Sequence, residues 1–313
     1  MYLHSPRQGL QHHSSDINPT PNLGYDQLWK LQHHFYRKFI YPNNVEEAAS
    51  INSTIFSENV GEDALSIKYH TVVMRRELAG VQESRLMTCQ VQGRVSDTRN
   101  FQGRELNTEY IFGLFVPSES KSIIGQPRSY NILKFLGEKN IASASTRVDF
   151  TFPAFGNISM PVILETWLTW NSAGQITQYD AIFKWFGYFA KTLVTSLDSD
   201  PNKAGQKAVK MMATSICSAH GRYCNGTNLQ YESYEACSTF LTREIRVGES
   251  FELGMNTLFC RSMHENMLKY RPDVHCSHIG PTGGGMCEDD VPYMEKAGEV
   301  YYTNSPWSPS SCT

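Results

Sequence analysis

The chain has 313 residues, 40% hydrophobic and 12% aromatic, a composition suited to packed cores rather than to disorder. Its 28 basic and 31 acidic residues leave a formal charge of -3, too balanced for the basic field that nucleic acid requires. No apolar run reaches the about 18 residues of a membrane span; the nearest, Ala181 to Val194, is cut by Lys184 and Lys191.

Residues 1–24 carry Pro6, Pro19 and Pro21 with little apolar material and read as a disordered leader. They lack the apolar stretch of a signal peptide. From Tyr25 to Ile40, Leu28, Leu31, Phe35 and Phe39 form one helical stripe, which Pro42 ends. A second helix is expected from Asn44, with Glu46 and Glu47 in its first turn, to about Phe56. At Leu65 the period falls to two, with Leu65, Ile67 and Tyr69 alternating with Ser66, Lys68 and His70. Further strands are expected at Leu86 to Val95, Leu106 to Val116, Thr146 to Phe152, Val162 to Trp170 and Ile176 to Trp185, with a short helix at Tyr130 to Leu136. Asn171-Ser172-Ala173-Gly174 joins the last two strands as a hairpin.

Beyond residue 195 the texture changes. Ser196 to Gly205 is a polar linker. Helical stripes follow at Ala208 to Cys217, at Tyr234, Cys237, Leu241 and Ile245, and at Phe251, Met255, Phe259, Met263 and Met267. Arg271 to Asp290, rich in glycine, reads as loop. Seven of the eight cysteines lie here; only Cys89 lies outside. Clustered cysteines in even number predict disulfides and a secreted or luminal compartment. The sequons at Asn52, Asn157 and Asn225 fit a glycoprotein. The domain organisation expected is a leader over 1–24, an α+β domain over 25–195 and a Cys-rich, mainly helical and loop-rich region over 196–313.

Two helices followed by a mostly antiparallel sheet predict an α+β cone, a curved sheet wrapped over helices. On the helix Tyr25 to Ile40, the segment Ile51 to Val60 (INSTIFSENV) and the hairpin Glu165 to Trp185 (ETWLTWNSAGQITQYDAIFKW), the chain resembles the nuclear-transport-factor-2-like superfamily. The SnoaL-like members of that superfamily include cyclases, dehydratases and isomerases. The resemblance spans about residues 25–191; the insert Pro117 to Pro127 and the long tail depart from it. It implies a conical pocket with an acid–base residue on its strands, without selecting which. It also implies pairing of two copies through the open sheet. A lipocalin-like barrel is the alternative fold.

A carboxylate inside an apolar pocket has a raised pKa and can move protons. The candidates are Asp180, Glu165 and Asp149, with His70, Tyr179 and Tyr110 as partners. Trp167, Trp170 and Trp185 could face a flat apolar substrate or pack between sheet and helices. His264, His275, Cys276 and His278 are dense in zinc or copper ligand types, but their spacing matches no ordinary finger and bridged cysteines are lost as ligands. The run Gly280 to Gly285 lacks the Lys-Ser/Thr pair of a phosphate loop and reads as a tight turn beside Cys287. The resemblance to SnoaL-like proteins, more than these residues, implies an enzyme without an organic cofactor, carrying out acid–base cyclisation, dehydration or isomerisation of an apolar polyketide- or terpenoid-like molecule. The alternatives are a non-catalytic secreted binding protein and a metalloprotein using the His264–His278 cluster.

Overall fold

A computed structural model describes residues 21–58 and 91–298. The expected strand from Leu65, His70, the first half of Leu86 to Val95, Cys89 and Cys312 lie outside the described residues. Helix α1 (Tyr25–Phe39) buries Leu28, Gln32, Phe35, Tyr36 and Phe39, a stripe at spacings of three and four. Helix α2 (Asn43–Ser50) follows Pro42 and closes with Ile51 in the left-handed region.

Among the described residues, six strands build one sheet: β1 (Gln92–Val95), β2 (Asn100–Gln102), β3 (Gln126–Glu138), β4 (Ile141–Phe152), β5 (Ile158–Trp170) and β6 (Ile176–Lys184). Their spatial order is β2-β1-β6-β5-β4-β3. Strand β1 runs parallel to β6, the other strand pairs described are antiparallel, and a single parallel bridge joins Phe56 to Ile176. The hairpin between β5 and β6 closes where expected, with Asn171 N–H donating to Gln175 O and Gly174 at φ 74°. Side chains alternate across β5: Leu164, Thr166, Leu168 and Trp170 are buried, while Glu165 and Trp167 point the other way. Helix α1 packs on the buried face, and together they form the main core. The fold is α+β, with a curved sheet over helices.

Three expected elements of the α+β domain are corrected. The helix expected from Asn44 to about Phe56 ends at Ser50. Leu106 to Val116 is not a strand: helix α3 (Arg104–Ile111) and a 3-10 turn (Gly113–Phe115) occupy it. Asn107 to Ile111 are all buried, so the segment is enclosed on every side and carries no one-faced period for the sequence to reveal. Tyr130 to Leu136 is not a helix but the middle of β3. A register shift between Ile132 and Lys134 lets Tyr130, Ile132 and Phe135 all turn inward, and this irregularity imitates helical spacing.

After β6, helix α4 (Phe186–Thr195) folds back over the open end of the sheet. Asp200 then caps α5 (Pro201–Tyr223), its carboxylate accepting from Asn202 N–H and Lys203 N–H with Pro201 in the first turn. The expected linker therefore shrinks to Ser196–Asp200. Around α5 stand α6 (Tyr234–Thr239), α7 (Leu258–His264) and α8 (Pro272–Ile279), with α9 (Tyr293–Gly298) beyond. The stripe from Phe251 to Met267 is not one helix, because residues 250–257 are turns and only α7 and a short 3-10 turn are helical. Arg271 to Asp290 is not all loop, since Pro272 starts α8. Disulfides Cys217–Cys237, Cys224–Cys276 and Cys260–Cys287 tie this region around a second core. No helix among the described residues is long and apolar enough to cross a membrane.

Candidate functional site

The sheet, α1 and α4 enclose a partly open cavity of about 150 Å³. Its wall is aromatic: Phe35 and Phe39 from α1, Phe150 and Phe152 from β4, and Phe186 and Phe189 from α4. Ala181 and Phe183 of β6 face it, so the neighbouring Asp180 and Ile182 cannot. Ser96, Asp97, Thr98, Tyr110 and Thr166 also border it, but the surface they present is almost entirely apolar. Asp97 sits in the turn between β1 and β2 with φ 68°, in the left-handed region. Burial raises its carboxyl above the ordinary range, against the pull of Lys296. A carboxyl raised in this way keeps its proton to higher pH than a solvated one.

The sequence-selected carboxylates lie elsewhere. Asp180, Glu165 and Asp149 all stand on the sheet face turned away from the cavity. Asp180 pairs with Arg94. Glu165 accepts from Ser145 Oγ and from Lys184 Nζ, the latter at 3.3 Å. The Ser145 hydrogen bond, with help from Lys184, holds its carboxyl below the usual range. Asp149 accepts from Arg147 at 2.8 Å and Ser129 at 3.1 Å. Tyr179 is buried in the main core against Phe56 rather than in the cavity wall. Trp170 is fully buried, Trp167 is 49% exposed on the outer face and Trp185 is 67% exposed, so none of the three lines the cavity. Tyr110 alone of the described candidates does, and it comes from helix α3 rather than a strand.

Tyr110 also opens a second, buried polar cluster. Its hydroxyl lies 3.2 Å from His264 Nδ1. His264 ends α7, and His275 and His278 stand three residues apart on α8, which places both on one helical face. His278 Nδ1 lies 3.2 Å from His264 Nδ1 and 3.2 Å from His275 Nδ1. His275 Nε2 is 3.2 Å from Glu109 Oε2, whose other oxygen accepts from Arg271 Nη1 at 2.8 Å. All three rings are buried. Burial, then the neighbouring imidazoles, pushes His264 well below its ordinary pKa and His278 down to about 3. Burial, then Glu109, pushes the Tyr110 phenol well up, so it stays protonated at neutral pH. Cys276 and Cys260 stand beside these histidines, but each is held in a disulfide, which removes both sulfurs as thiolate ligands.

The glycine run is a turn. Gly283, Gly284 and Gly285 all have positive φ, and a Cβ on Gly284 would lie 2.5 Å from Ser277 Oγ. The buried Arg261 guanidinium clamps it, donating to the carbonyls of Gly280 and Pro281 at 3.1 Å each. Sequence reasoning passed over Asp97, Glu109 and Glu265. Glu109-Tyr110, adjacent inside a helix, would have drawn notice had the segment not been read as a strand.

Two family models cover most of the described chain. The BfoA N-terminal domain matches residues 69–181 and the BfoA family C-terminal domain residues 179–290. The chain is 43% identical over 290 residues to the Bifonsecin B biosynthesis cluster protein A of Aspergillus brasiliensis, covering 91% of this chain and 87% of that one. It is equally similar to the Aurasperone B biosynthesis cluster protein A of Aspergillus niger, at 43% over 91% of this chain and 85% of that protein. Among solved structures, a proposed isomerase from Rhodopseudomonas palustris aligns over 55% of this chain and 95% of its own, at 13% identity and a TM-score of 0.32, a likeness too partial to bear on function. A proposed SnoaL-like polyketide cyclase from Jannaschia Sp. CCS1 aligns over 37% of this chain and 75% of its own, at 14% identity and a TM-score of 0.26. Glu109 and Tyr110 fall within the first family segment and the three histidines within the second, so the buried cluster joins the two. This chain belongs to the BfoA family.

Proposed function

We propose that the chain is an enzyme of secondary metabolism that binds an apolar, polyketide- or terpenoid-like molecule in the aromatic cavity. It would catalyse acid–base cyclisation, dehydration or isomerisation there without an organic cofactor. The observation that carries this reading is an apolar cavity lined by phenylalanines, with Asp97, whose carboxyl is raised by burial, among the residues that border it. Asp97 acts as the general acid–base in place of the outer-face carboxylates. About 150 Å³ admits on the order of one aromatic ring, so the reacting end of the substrate enters while the remainder stays at the mouth under α4. The relatives' names, which place them in biosynthesis clusters, agree with a small-molecule substrate.

The test has two arms. Binding of 2-naphthol, followed by its fluorescence, should weaken at least about tenfold in Ala181→Trp, which fills the cavity. Conversion of a pathway intermediate pool, followed by mass spectrometry as isomeric or water-loss products, should disappear in Asp97→Asn. Equal 2-naphthol binding by Ala181→Trp would remove the cavity from the argument, and full turnover by Asp97→Asn would remove its acid–base residue. The disulfides favour an oxidising compartment for this reaction. The outer sheet face, with Trp167, Ile182 and Leu136 exposed, is the surface through which two copies would pair, and light scattering of the purified protein reads that directly.

A further inference from the structure

We propose that His264, His275 and His278 bind a divalent first-row transition metal, zinc or copper, through their Nδ1 atoms, with Tyr110 Oη at the fourth corner. This site stands on the geometry of the cluster and does not depend on how the cavity is used.

Three features carry it. The first is spacing. A tetrahedral metal with nitrogen at about 2.0–2.1 Å holds its ligand atoms about 3.3 Å apart. The two Nδ1 separations at His278 and the Tyr110 Oη to His264 Nδ1 distance are each 3.2 Å, and the three histidine ligand atoms all lie within 4.8 Å of one another. The second is hydrogen-bond arithmetic. An imidazole Nδ1 carries either one N–H or one lone pair, never two directed valences. His278 Nδ1 faces two other ring nitrogens, and His264 Nδ1 faces a ring nitrogen and a hydroxyl. Hydrogen bonds serve these contacts only by sharing one His278 N–H between two rings and one His264 lone pair between two donors, whereas a cation meets every lone pair directly. The third is support from behind. Glu109 can only accept at His275 Nε2, which therefore carries the proton and leaves Nδ1 bare toward the cluster centre. Arg271 in turn fixes the other Glu109 oxygen. A carboxylate–histidine–metal arrangement needs this relay, and a merely structural histidine does not.

The donor set suits a borderline metal. Three imidazoles and a phenol favour zinc or copper over the all-oxygen preference of magnesium or calcium. The neighbouring sulfurs of Cys260 and Cys287 are bonded to each other, so the site is built from nitrogen and oxygen. Tyr110 also borders the cavity, while its hydroxyl turns to His264.

The experiment uses the full chain, purified without chelator from a host that forms disulfides. Elemental analysis should find zinc or copper at close to one equivalent per chain. Titration of the metal-stripped protein with Co²⁺ should give the visible absorption bands of a four-coordinate site. His264→Gln and His278→Gln should abolish those bands, and Glu109→Gln, acting as a positioning residue, should weaken Co²⁺ binding by about 10–100-fold. If the histidine variants do not fold, Cu²⁺ loading of the wild type decides, because its electron paramagnetic resonance should show coupling to three nitrogens. The inference is overturned by wild-type protein that takes up neither Co²⁺ nor Cu²⁺. It is equally overturned by bands that persist in folded His264→Gln and His278→Gln, which would place the metal on other histidines such as His12 and His13, or by a copper signal with fewer nitrogens.

Discussion

Glu265→Gln should change how stability depends on pH. Glu265 opens the 3-10 turn after α7 and is 3% exposed. Ser215 Oγ on α5 donates to its Oε1 at 2.9 Å, while Oε2 has no hydrogen-bond partner among the described residues. Burial pushes the carboxyl up to about 7, with the hydroxyls of Ser122 and Ser215 pulling the other way. In the unfolded chain it returns to its ordinary 4.5. Below that value both states are protonated and the folded protein has its full stability. As pH rises toward 7 the unfolded chain releases the proton and the folded one keeps it, so stability falls. Above 7 both are ionised and the loss levels off. The gap corresponds to about 3 kcal/mol, at roughly 1.4 kcal/mol for each tenfold in proton affinity. Glutamine keeps the shape and the Ser215 hydrogen bond but cannot ionise. Urea unfolding of both proteins between pH 4.5 and pH 8 should show wild type losing about 3 kcal/mol relative to Glu265→Gln across that window. A difference that stays constant with pH would mean that Glu265 is not buried as a neutral acid, and the reasoning about this contact between α5 and α7 would fail.

Other expectations are simpler. Cys224→Ser with Cys276→Ser opens a loop of 52 residues and should cost about 4 kcal/mol by chain entropy, read from urea midpoints. Gly93→Ala would place a Cβ 2.1 Å from Asn107 Oδ1 and 2.2 Å from the Tyr179 ring. Asn107 is held through Nδ2 to the carbonyls of Phe101 and Gly103, so it cannot yield, and thermal unfolding should show a loss of about 3 kcal/mol. Asp180→Asn and Glu165→Gln break outer-face ion pairs with Arg94 and Lys184 and should each cost less than about 1 kcal/mol, with 2-naphthol binding unchanged. Loss of binding in either would bring the outer carboxylates back into the site.

Helix α1 and the β5–β6 hairpin were legible because each carries an unbroken period and an explicit stop: Pro42 after α1, Gly174 between the strands. Strand β3 was not, because a single irregularity between Ile132 and Lys134 turns a period of two into spacings of two and three. Helix α3 was misread because only eight residues separate the left-handed Gly103 from its end, too few for a helical period to dominate a local alternation. For the site, alternation on β6 offered two faces and no reason to choose. The choice came from α4, whose Phe186 and Phe189 fold back onto the Ala181–Phe183 side and leave Asp180 outside. Asp97 carries no local signature, since its character comes from the walls around it. The histidines were visible as a cluster, but Glu109 and Tyr110 sit more than 150 residues earlier, and only the tertiary fold brings them alongside.

The bridge at Cys276 lies between His275 and His278, and the bridge at Cys260 lies one turn before His264. Each helix that carries a ring of the trio is thus bolted to another part of the chain within a turn of that ring. Sulfur pairing and imidazole placement are consequently one event in biogenesis. A molecule that closed the wrong bonds during expression would retain every residue of the cluster and still present its rings at the wrong angles. Recombinant material should accordingly be judged by its peptide-level crosslink map before any negative result on turnover is believed.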